Sequence, residues 1–411
     1  MPSRATKRTK LDSPAVPATK TSTSAEVEGK HRIFTHWSQA RGVQINGVAP
    51  SQLPGRGLGL LTTRSIKAGE RMLFIPEKAM FKPNTKFLKQ HRLDRASPHA
   101  QLAISATAVY RAPDTSLACW EATWPTREDF WASLPLCWTD AERTDLPPSV
   151  LHPLERQLDD YRKDWAAVRD VCEAEGWDEE EFRYYWMIVN SRSFHWKPPR
   201  GRAGVMVMCP FIDYINHGPT GTTCRVTTDQ RGYEVHADRD YAPGEEILAT
   251  YGAHSNDTLL VHYGFLLPTN HSNPNPDDSI PLDNILLPHL PNATQSKLRD
   301  LGYLGAYALL PAPVNDICFK TSVAVRAELL SCNEWEYFMT NGEDLGSDQS
   351  GAVREFLLPV LREYWEECGV RMRELEAAGD GERGMKAALA RSRWLQVREA
   401  LEAYIEGGER G

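Results

Sequence analysis

β-strand texture occurs twice in this chain, on either side of a long helical stretch, and that order most limits what it can fold into. In the first β region, Val43-Gln44-Ile45-Asn46-Gly47-Val48 alternates and then meets glycine. Leu53-Pro54-Gly55-Arg56-Gly57-Leu58-Gly59-Leu60-Leu61 is a glycine-rich turn that runs into apolar residues, and Met72-Leu73-Phe74-Ile75-Pro76 reads as a strand stopped by proline. Residues 97–190 then read as helices punctuated by prolines at 125, 135, 147, 148 and 153. In Glu179 to Asn190 the apolar residues Phe182, Tyr185, Trp186, Ile188 and Val189 suit one broad buried face. β texture returns over 204–252, where Asp229-Gln230-Arg231-Gly232 separates two strand-like runs as a hairpin signal. A β core interrupted by one helical insertion explains this order without independent domains.

The rest of the chain frames that core. Residues 1–29 are rich in Ser, Thr, Ala, Pro and Lys, and are expected to form a disordered tail. Its Lys7-Arg8-Thr9-Lys10 reads either as a solvated basic run or as a short nuclear-import signal. Residues 268–283, dense in Pro, Asn and Asp, read as a linker or long surface loop. Beyond about 290, amphipathic helices such as Val353–Cys368 and Met385–Ile405 dominate. The expected division is therefore a tail at 1–29, a core domain at 30–270 with its insertion at about 97–190, and a helical domain at 280–411.

One internal echo stands out. Arg64-Ser65-Ile66-Lys67-Ala68-Gly69-Glu70 and Arg239-Asp240-Tyr241-Ala242-Pro243-Gly244-Glu245 share a pattern, and each precedes an apolar strand. Two copies so far apart imply similar corners, not a repeat array.

Charge and cysteines narrow the function classes. The net charge is −8, but residues 1–30 carry +3, so the body carries −11. An acidic body suits a basic protein partner better than a nucleic-acid backbone. No run of eighteen apolar residues suggests a membrane span, and no apolar leader is visible at the N-terminus. Eight cysteines lack zinc-site spacing, so reduced thiols in the cytoplasm, the nucleus or both are expected.

Two segments carry the chemistry. Phe211-Ile212-Asp213-Tyr214-Ile215-Asn216-His217-Gly218 ends an apolar run in two hydrogen-bonding side chains. Gly244-Glu245-Glu246-Ile247-Leu248-Ala249-Thr250-Tyr251-Gly252 ends a strand in a phenol beside a residue that permits close backbone approach. Taken singly, each has a plain structural explanation. Asn216-His217 suits a satisfied buried pair, Tyr251 a core tyrosine, and Ser191-Arg192-Ser193-Phe194 a helix exit. Asn256-Asp257 suits a helix N-terminus, and the glycine loop a tight turn, since neither a dinucleotide fingerprint nor a P-loop is complete. No second histidine stands at ligand spacing, so no metal is expected.

Together and in this order, these segments resemble the SET-domain methyltransferases. Within that family the match is to the branch typified by the Rubisco large-subunit lysine methyltransferase, which also contains ribosomal-protein lysine methyltransferases and an actin-histidine methyltransferase. The resemblance runs over about residues 33–270 through G-x-G-L-G-L, V-N-S-R-S-F, F-I-D-Y-I-N-H, G-E-E-I-L-A-T-Y-G and S-N-D-x-L-L-x-x-Y-G-F. It implies an α+β fold: a β-rich SET core with a helical insertion, then a mainly α-helical C-terminal substrate-binding domain.

The resemblance also implies an enzyme that transfers a methyl group from S-adenosyl-L-methionine to a lysine of a non-histone protein, a ribosomal protein among the candidates. Arg56, Gly57, Leu58, Ser191, Asp213, Asn216, His217, Tyr251 and Phe265 would hold the cofactor. Arg192 and Tyr263 would meet the substrate, and Tyr251 would be the catalytic tyrosine. Two departures bear on these roles. Arg56 stands where some relatives carry an acid, and the Tyr251–Tyr263 spacing is shorter than in the Rubisco enzyme. The zinc-binding cysteine cluster of histone-type SET proteins is absent, because the next cysteine after Phe265 is Cys318. The competing readings are a protein-histidine methyltransferase and a catalytically silent SET module that binds a protein. A protein partner bearing a lysine, no nucleic acid, no membrane and a monomer are the expected associations.

Overall fold

The computed structural model describes residues 24–53, 57–112, 115–197, 204–268, 275–377 and 384–407. The fold is α+β. Ten short strands make the core: β1 (Gln44–Ile45), β2 (Val48–Leu53), β3 (Gly57–Thr62), β4 (Arg71–Pro76), β5 (Ser193–Trp196), β6 (Val205–Met208), β7 (Asn216–His217), β8 (Arg225–Thr228), β9 (Gly232–His236) and β10 (Glu246–Ala249). One sheet runs β1-β4-β9-β8, a second runs β2-β3-β10-β7, and β5 pairs with β6 alone. Every pairing is antiparallel except β7 with β10, which is parallel.

Local chemistry explains several of these strands. In β4 a register shift between Arg71 and Leu73 lets the consecutive residues Met72 and Leu73 both be buried, as a β-bulge does. The alternating stretch around Ile45 is divided between two sheets, β1 and β2.

The internal echo has a structural cause. The two corners pair with each other through an antiparallel bridge, in which Ile66 N–H donates to Tyr241 O at 3.0 Å and Tyr241 N–H to Ile66 O at 2.9 Å. Each corner is closed by its own Arg–Glu pair, Arg64 with Glu70 and Arg239 with Glu245. Lys67 Nζ also reaches Asp240 Oδ2 at 2.7 Å. The repeated pattern thus reports two equivalent corners in mutual contact, which fasten the first β region to the second.

The insertion between β4 and β5 is helical. Its helix Glu179–Arg192 starts at a capping box between Asp178 and Glu181 and packs on the helix Pro98–Tyr110. Every residue from Tyr184 to Val189 is buried, a wider face than the sequence pattern implies, because the helix is covered on several sides. Aromatic faces meet there, including Trp186 stacked on His99 at 4.3 Å.

Two expectations are corrected. A helix spans Ser24–Ala40, across the boundary expected between a disordered tail and a β unit. It is held by packing: Phe34 is fully buried and stacks near Trp37, Trp120 and Phe211. The expected tail at 1–23 lies outside the described residues. The segment read as a surface linker, 268–283, holds the buried Asn275 and Asp278, and residues 269–274 lie outside the described residues.

From Ile280 to Tyr404 a second core gathers residues such as Leu298, Val323, Leu357, Val397 and Leu401. It is built from a small sheet, Ile280–Pro281 with Ala308–Leu310 and Asp316–Ile317, and from helices including Phe319–Leu329, Ser350–Ala377 and Gly384–Gly407. A third, smaller cluster joins the parts. Trp138, Leu146, Val150 and Leu154 of the insertion meet Leu260 and Val261 of the helix Asn256–Tyr263, and Ala390 of the last helix. Trp394 Nε1 donates to Asp145 O at 2.8 Å, and Lys386 Nζ pairs with Glu142 at 2.8 Å, so the last helix is docked on the insertion.

Candidate active site

The site begins with an unusual backbone conformation. Phe211 has φ 73° although it is not glycine, a state that costs about 1–3 kcal/mol. Its buried ring, 5.3 Å from Tyr214 and 6.4 Å from Phe34, holds it there. The chain then makes one 3₁₀ turn, Ile212–Tyr214, and enters β7. The parallel register sets Asn216 against Leu248 and His217 against Ala249. Tyr251, two residues past Ala249, therefore lies alongside His217.

Two hydrogen bonds fix Tyr251. Its backbone N–H donates to His217 Nδ1 at 3.1 Å, and its hydroxyl donates to Ile215 O at 2.8 Å. A backbone donor on Nδ1 requires that nitrogen to be unprotonated, so His217 is held as the tautomer with hydrogen on Nε2. Burial, and then the neighbouring His254, lower the His217 pKa, consistent with a neutral ring. Burial raises the Tyr251 phenol further above its already high ordinary value. Because the hydroxyl hydrogen is committed to Ile215 O, the oxygen faces any incoming group as an acceptor.

Asn216 is held from the other side. Its Nδ2 donates to Leu58 O at 3.1 Å and to Glu246 Oε1 at 2.9 Å. This contact requires Gly59. A Cβ there would lie 2.8 Å from Asn216 Nδ2 and 3.0 Å from Glu246 Oε1. Gly57 has φ 74°, a left-handed conformation that favours glycine, at the start of the strand leading to Leu58. Arg56 lies outside the described residues.

Aromatic rings form the facing wall. Tyr263 lies 5.0 Å from Tyr251, ring to ring, Phe265 lies 6.2 Å from Tyr263, and His217 lies 6.2 Å from Phe265. His254 adds a ring 6.1 Å from Tyr263, in space left by Gly252, where a Cβ would lie 2.6 Å from the imidazole. Tyr263 closes the helix Asn256–Tyr263, which Ser255 caps and Gly264 ends in a left-handed turn. Asn190 ties that helix end to the insertion, its Nδ2 donating to His262 O at 2.7 Å.

Arg192 and Asp213 meet behind this group. Arg192 Nη1 donates to Asp213 O at 2.8 Å and lies 3.6 Å from its carboxylate. Trp120 Nε1 donates to the same carboxylate at 3.1 Å. The Asp213 side chain is only 2% exposed. Burial raises its pKa and the Arg192 charge opposes that rise. Asp213 therefore stands as an anchor for Arg192 and Trp120. The Ser191 hydroxyl donates back to Met187 O at 2.9 Å within its helix.

The fold thus gathers Gly57, Leu58, Asn216, His217, Tyr251, Tyr263 and Phe265, with Arg192 joined through Asp213. Sequence reasoning named Gly59 only as part of a glycine turn and gave no role to Glu246, Trp120 or Asn190. Glu246 had a signal, since the Asn216 amide needs an acceptor beside β10, whereas Trp120 comes from a distant helix with no motif. A separate groove on the insertion, lined by Phe81, Phe87, Val109, Leu117 and Trp177, includes none of the site residues. Among the described residues, no three His, Cys, Asp or Glu side chains group as metal ligands. Among them also, no helix is long and apolar enough to cross a membrane.

Comparison with known families meets this geometry at residues 57–252, which match the SET domain model. The chain carries a SET domain. The SET domain runs from the glycine strand β3 to the residue after Tyr251. The chain is 30% identical over 249 residues to the ribosomal lysine N-methyltransferase set11 of Schizosaccharomyces pombe, covering 57% of this chain and 61% of that protein. It is 23% identical over 295 residues to the human SET domain-containing protein 4, covering 65% and 66%. It is 23% identical over 259 residues to the human actin-histidine N-methyltransferase, covering 57% of this chain and 42% of that one. The match thus spans less than two thirds of each of these relatives. Among solved structures, the SET domain of LSMT bound to lysine and AdoHcy superposes with a TM-score of 0.59 at 13% identity, over 91% of both chains. Rubisco LSMT bound to AdoMet superposes at 0.58 with 15% identity, over 93% of both. At such identities the shared property is the fold, here extending past the SET domain into the C-terminal helices.

Proposed function

We propose that the protein is an S-adenosyl-L-methionine-dependent protein-lysine N-methyltransferase that acts on a non-histone protein, with ribosomal proteins the first class to test. One observation carries the reading: the dipeptide Asn216-His217 meets Tyr251, 34 positions after His217, at the parallel β7–β10 pair, and the Tyr251 oxygen is left as an acceptor.

The residues suit the cofactor. The Asn216 amide and the fixed His217 offer polar partners for an amino-acid end beside the glycine strand, and Phe265 offers a ring face. In this reading Gly57, Leu58, Asn216, His217, Tyr251 and Phe265 hold it, while Ser191, Arg192 and Asp213 shape its surroundings and the acceptor entrance. The cofactor supplies an already activated sulfonium methyl group. The chain must then align a neutral amine. A free lysine costs roughly 4–5 kcal/mol to deprotonate at pH 7. The apolar wall of Tyr251, Tyr263 and Phe265 disfavours the ammonium form and so lowers that cost. The Tyr251 oxygen accepts an N–H of the amine and orients its lone pair. It is no general base, because its own proton is committed and burial raises its pKa. Orientation of this kind is worth several kcal/mol.

The acidic body suits a basic protein partner in the cytoplasm or nucleus, approached as a monomer without nucleic acid. The test is transfer of label from S-adenosylmethionine to a lysate of a strain lacking this protein, with mass spectrometry of the labelled band. Methylated lysine is the expected result. A methyl group on histidine would overturn the lysine reading. Cofactor binding without transfer would favour the silent module.

A further inference from the structure

We infer that Arg393, on the last helix of the C-terminal region, is a positioning residue for the aromatic wall of Tyr263 and Phe265; this rests on the function proposed above. Both rings sit on a stretch whose ends are tied together. Asn256 Oδ1 accepts Leu267 N–H at 3.2 Å, and Asn256 Nδ2 donates to Leu267 O at 3.1 Å. Residues 256–267 thus form a closed loop carrying Tyr263 and Phe265.

That loop is gripped by the last helix. Gln396 Nε2 donates to Leu267 O at 2.9 Å, and Gln396 Oε1 accepts from Asn256 Nδ2 at 2.9 Å and from Arg393 at 3.1 Å. Arg393 Nε donates to Asp257 Oδ1 at 2.7 Å. Its other two nitrogens reach the two Asp278 oxygens at 2.8 and 3.2 Å. Asp278 Oδ1 also accepts the Asn256 N–H at 2.9 Å. Asn275 Nδ2 donates to the carbonyl of His254, beside Tyr263, at 3.0 Å. Arg393 is wholly buried, and Asn256, Asp257, Asn275, Asp278 and Gln396 are buried with it.

The chemistry argues for position more than for adhesion. A buried ion pair is poor stabilising material, since well-packed apolar residues commonly do as well. What a guanidinium adds is a rigid fork that fixes several partners in one geometry. Here the fork reads the N-terminus of the Tyr263 helix and the 275–279 segment at once. Gln396 meanwhile holds the far end at Leu267. The wall is therefore set by residues more than 125 positions away from it.

The test uses the full chain. Arg393→Lys keeps the charge but loses the fork. Leu357→Ala, in the C-terminal core and making none of the network's hydrogen bonds, is the matched destabilised control. Melting curves establish that both are folded at the assay temperature. For Arg393→Lys, label transfer from S-adenosylmethionine per folded molecule should fall at least about tenfold, and amide exchange over 256–267 should rise. Leu357→Ala should keep wild-type transfer. Equal transfer by the two variants, or unchanged exchange in Arg393→Lys, would overturn the inference. If Arg393→Lys does not fold, Gln396→Met takes its place with the same two readouts. If the wild type transfers no label, the proposed function fails, and the exchange measurement still decides whether Arg393 positions the loop.

Discussion

Replacing Gly59 by alanine is a direct probe of how the Asn216 amide is placed. The new Cβ would stand 2.5 Å from Leu53 Cδ1, 2.8 Å from Asn216 Nδ2 and 3.0 Å from Glu246 Oε1. Leu53 Cδ1 is the tip of a flexible side chain and can swing away. Asn216 Nδ2 cannot, because it is bonded to Leu58 O and Glu246 Oε1. Overpacking of this kind costs about 1–3 kcal/mol of stability. Loss of a positioned buried polar partner costs a ligand about 1–3 kcal/mol. At about 1.4 kcal/mol per factor of ten, S-adenosylhomocysteine should bind roughly five- to a hundredfold more weakly. Calorimetry on the full chain, beside a thermal melt, measures both quantities. Gly351→Ala, in a helix where no atom lies within 4 Å of the new Cβ, should leave affinity unchanged and should not lower stability. A folded Gly59→Ala protein with wild-type affinity would refute the placement of Asn216 in the cofactor site.

Two further outcomes are expected. Tyr251→Phe keeps the ring but removes the oxygen and leaves Ile215 O without its donor. Cofactor affinity should change little, and methyl transfer should fall on the order of ten- to a thousandfold, read by single-turnover labelling; unchanged turnover would dismiss the role. His262 is held at a pKa of about 4, mainly by burial, against 6.5 for the free side chain. The unfolded chain therefore binds the extra proton between these values, and stability falls as pH drops from about 6.5 towards 4. Melting temperatures over that window should decline less steeply in His262→Gln than in the wild type, and parallel slopes would count against it.

Much of the site was legible because each local piece has a local cause. The apolar run ending in Asn216-His217, the strand before Tyr251-Gly252 and the glycines at 57 and 59 are periodicity and turn chemistry, read directly from residue order. The two equivalent corners were visible as an echo, although not that they touch. The helix Ser24–Ala40 was not legible, because polar residues dominate its sequence and its place is set by Phe34 packing under Phe211 and Trp120. For Asp213 the family resemblance implied a place beside the cofactor. Only packing reveals that Trp120 and Arg192 enclose it.

The same division holds for the C-terminal region. Its helices follow from amphipathic pattern, and so a separable domain was the natural expectation. Removing it to test the core would strand Asp257 and Asp278 without Arg393, and breaking a buried pair in this way costs about 3–5 kcal/mol. By itself, then, the sequence determined most of the strands and helices and the motif segments from which the site is built. Tertiary structure alone decided that His217 lies beside Tyr251, that Gly59 leaves room for Asn216, and that Arg393 reaches the N-terminus of the helix carrying Tyr263. Periodicity is a property of neighbours along the chain, whereas these contacts depend on packing between segments whose separation no local pattern encodes.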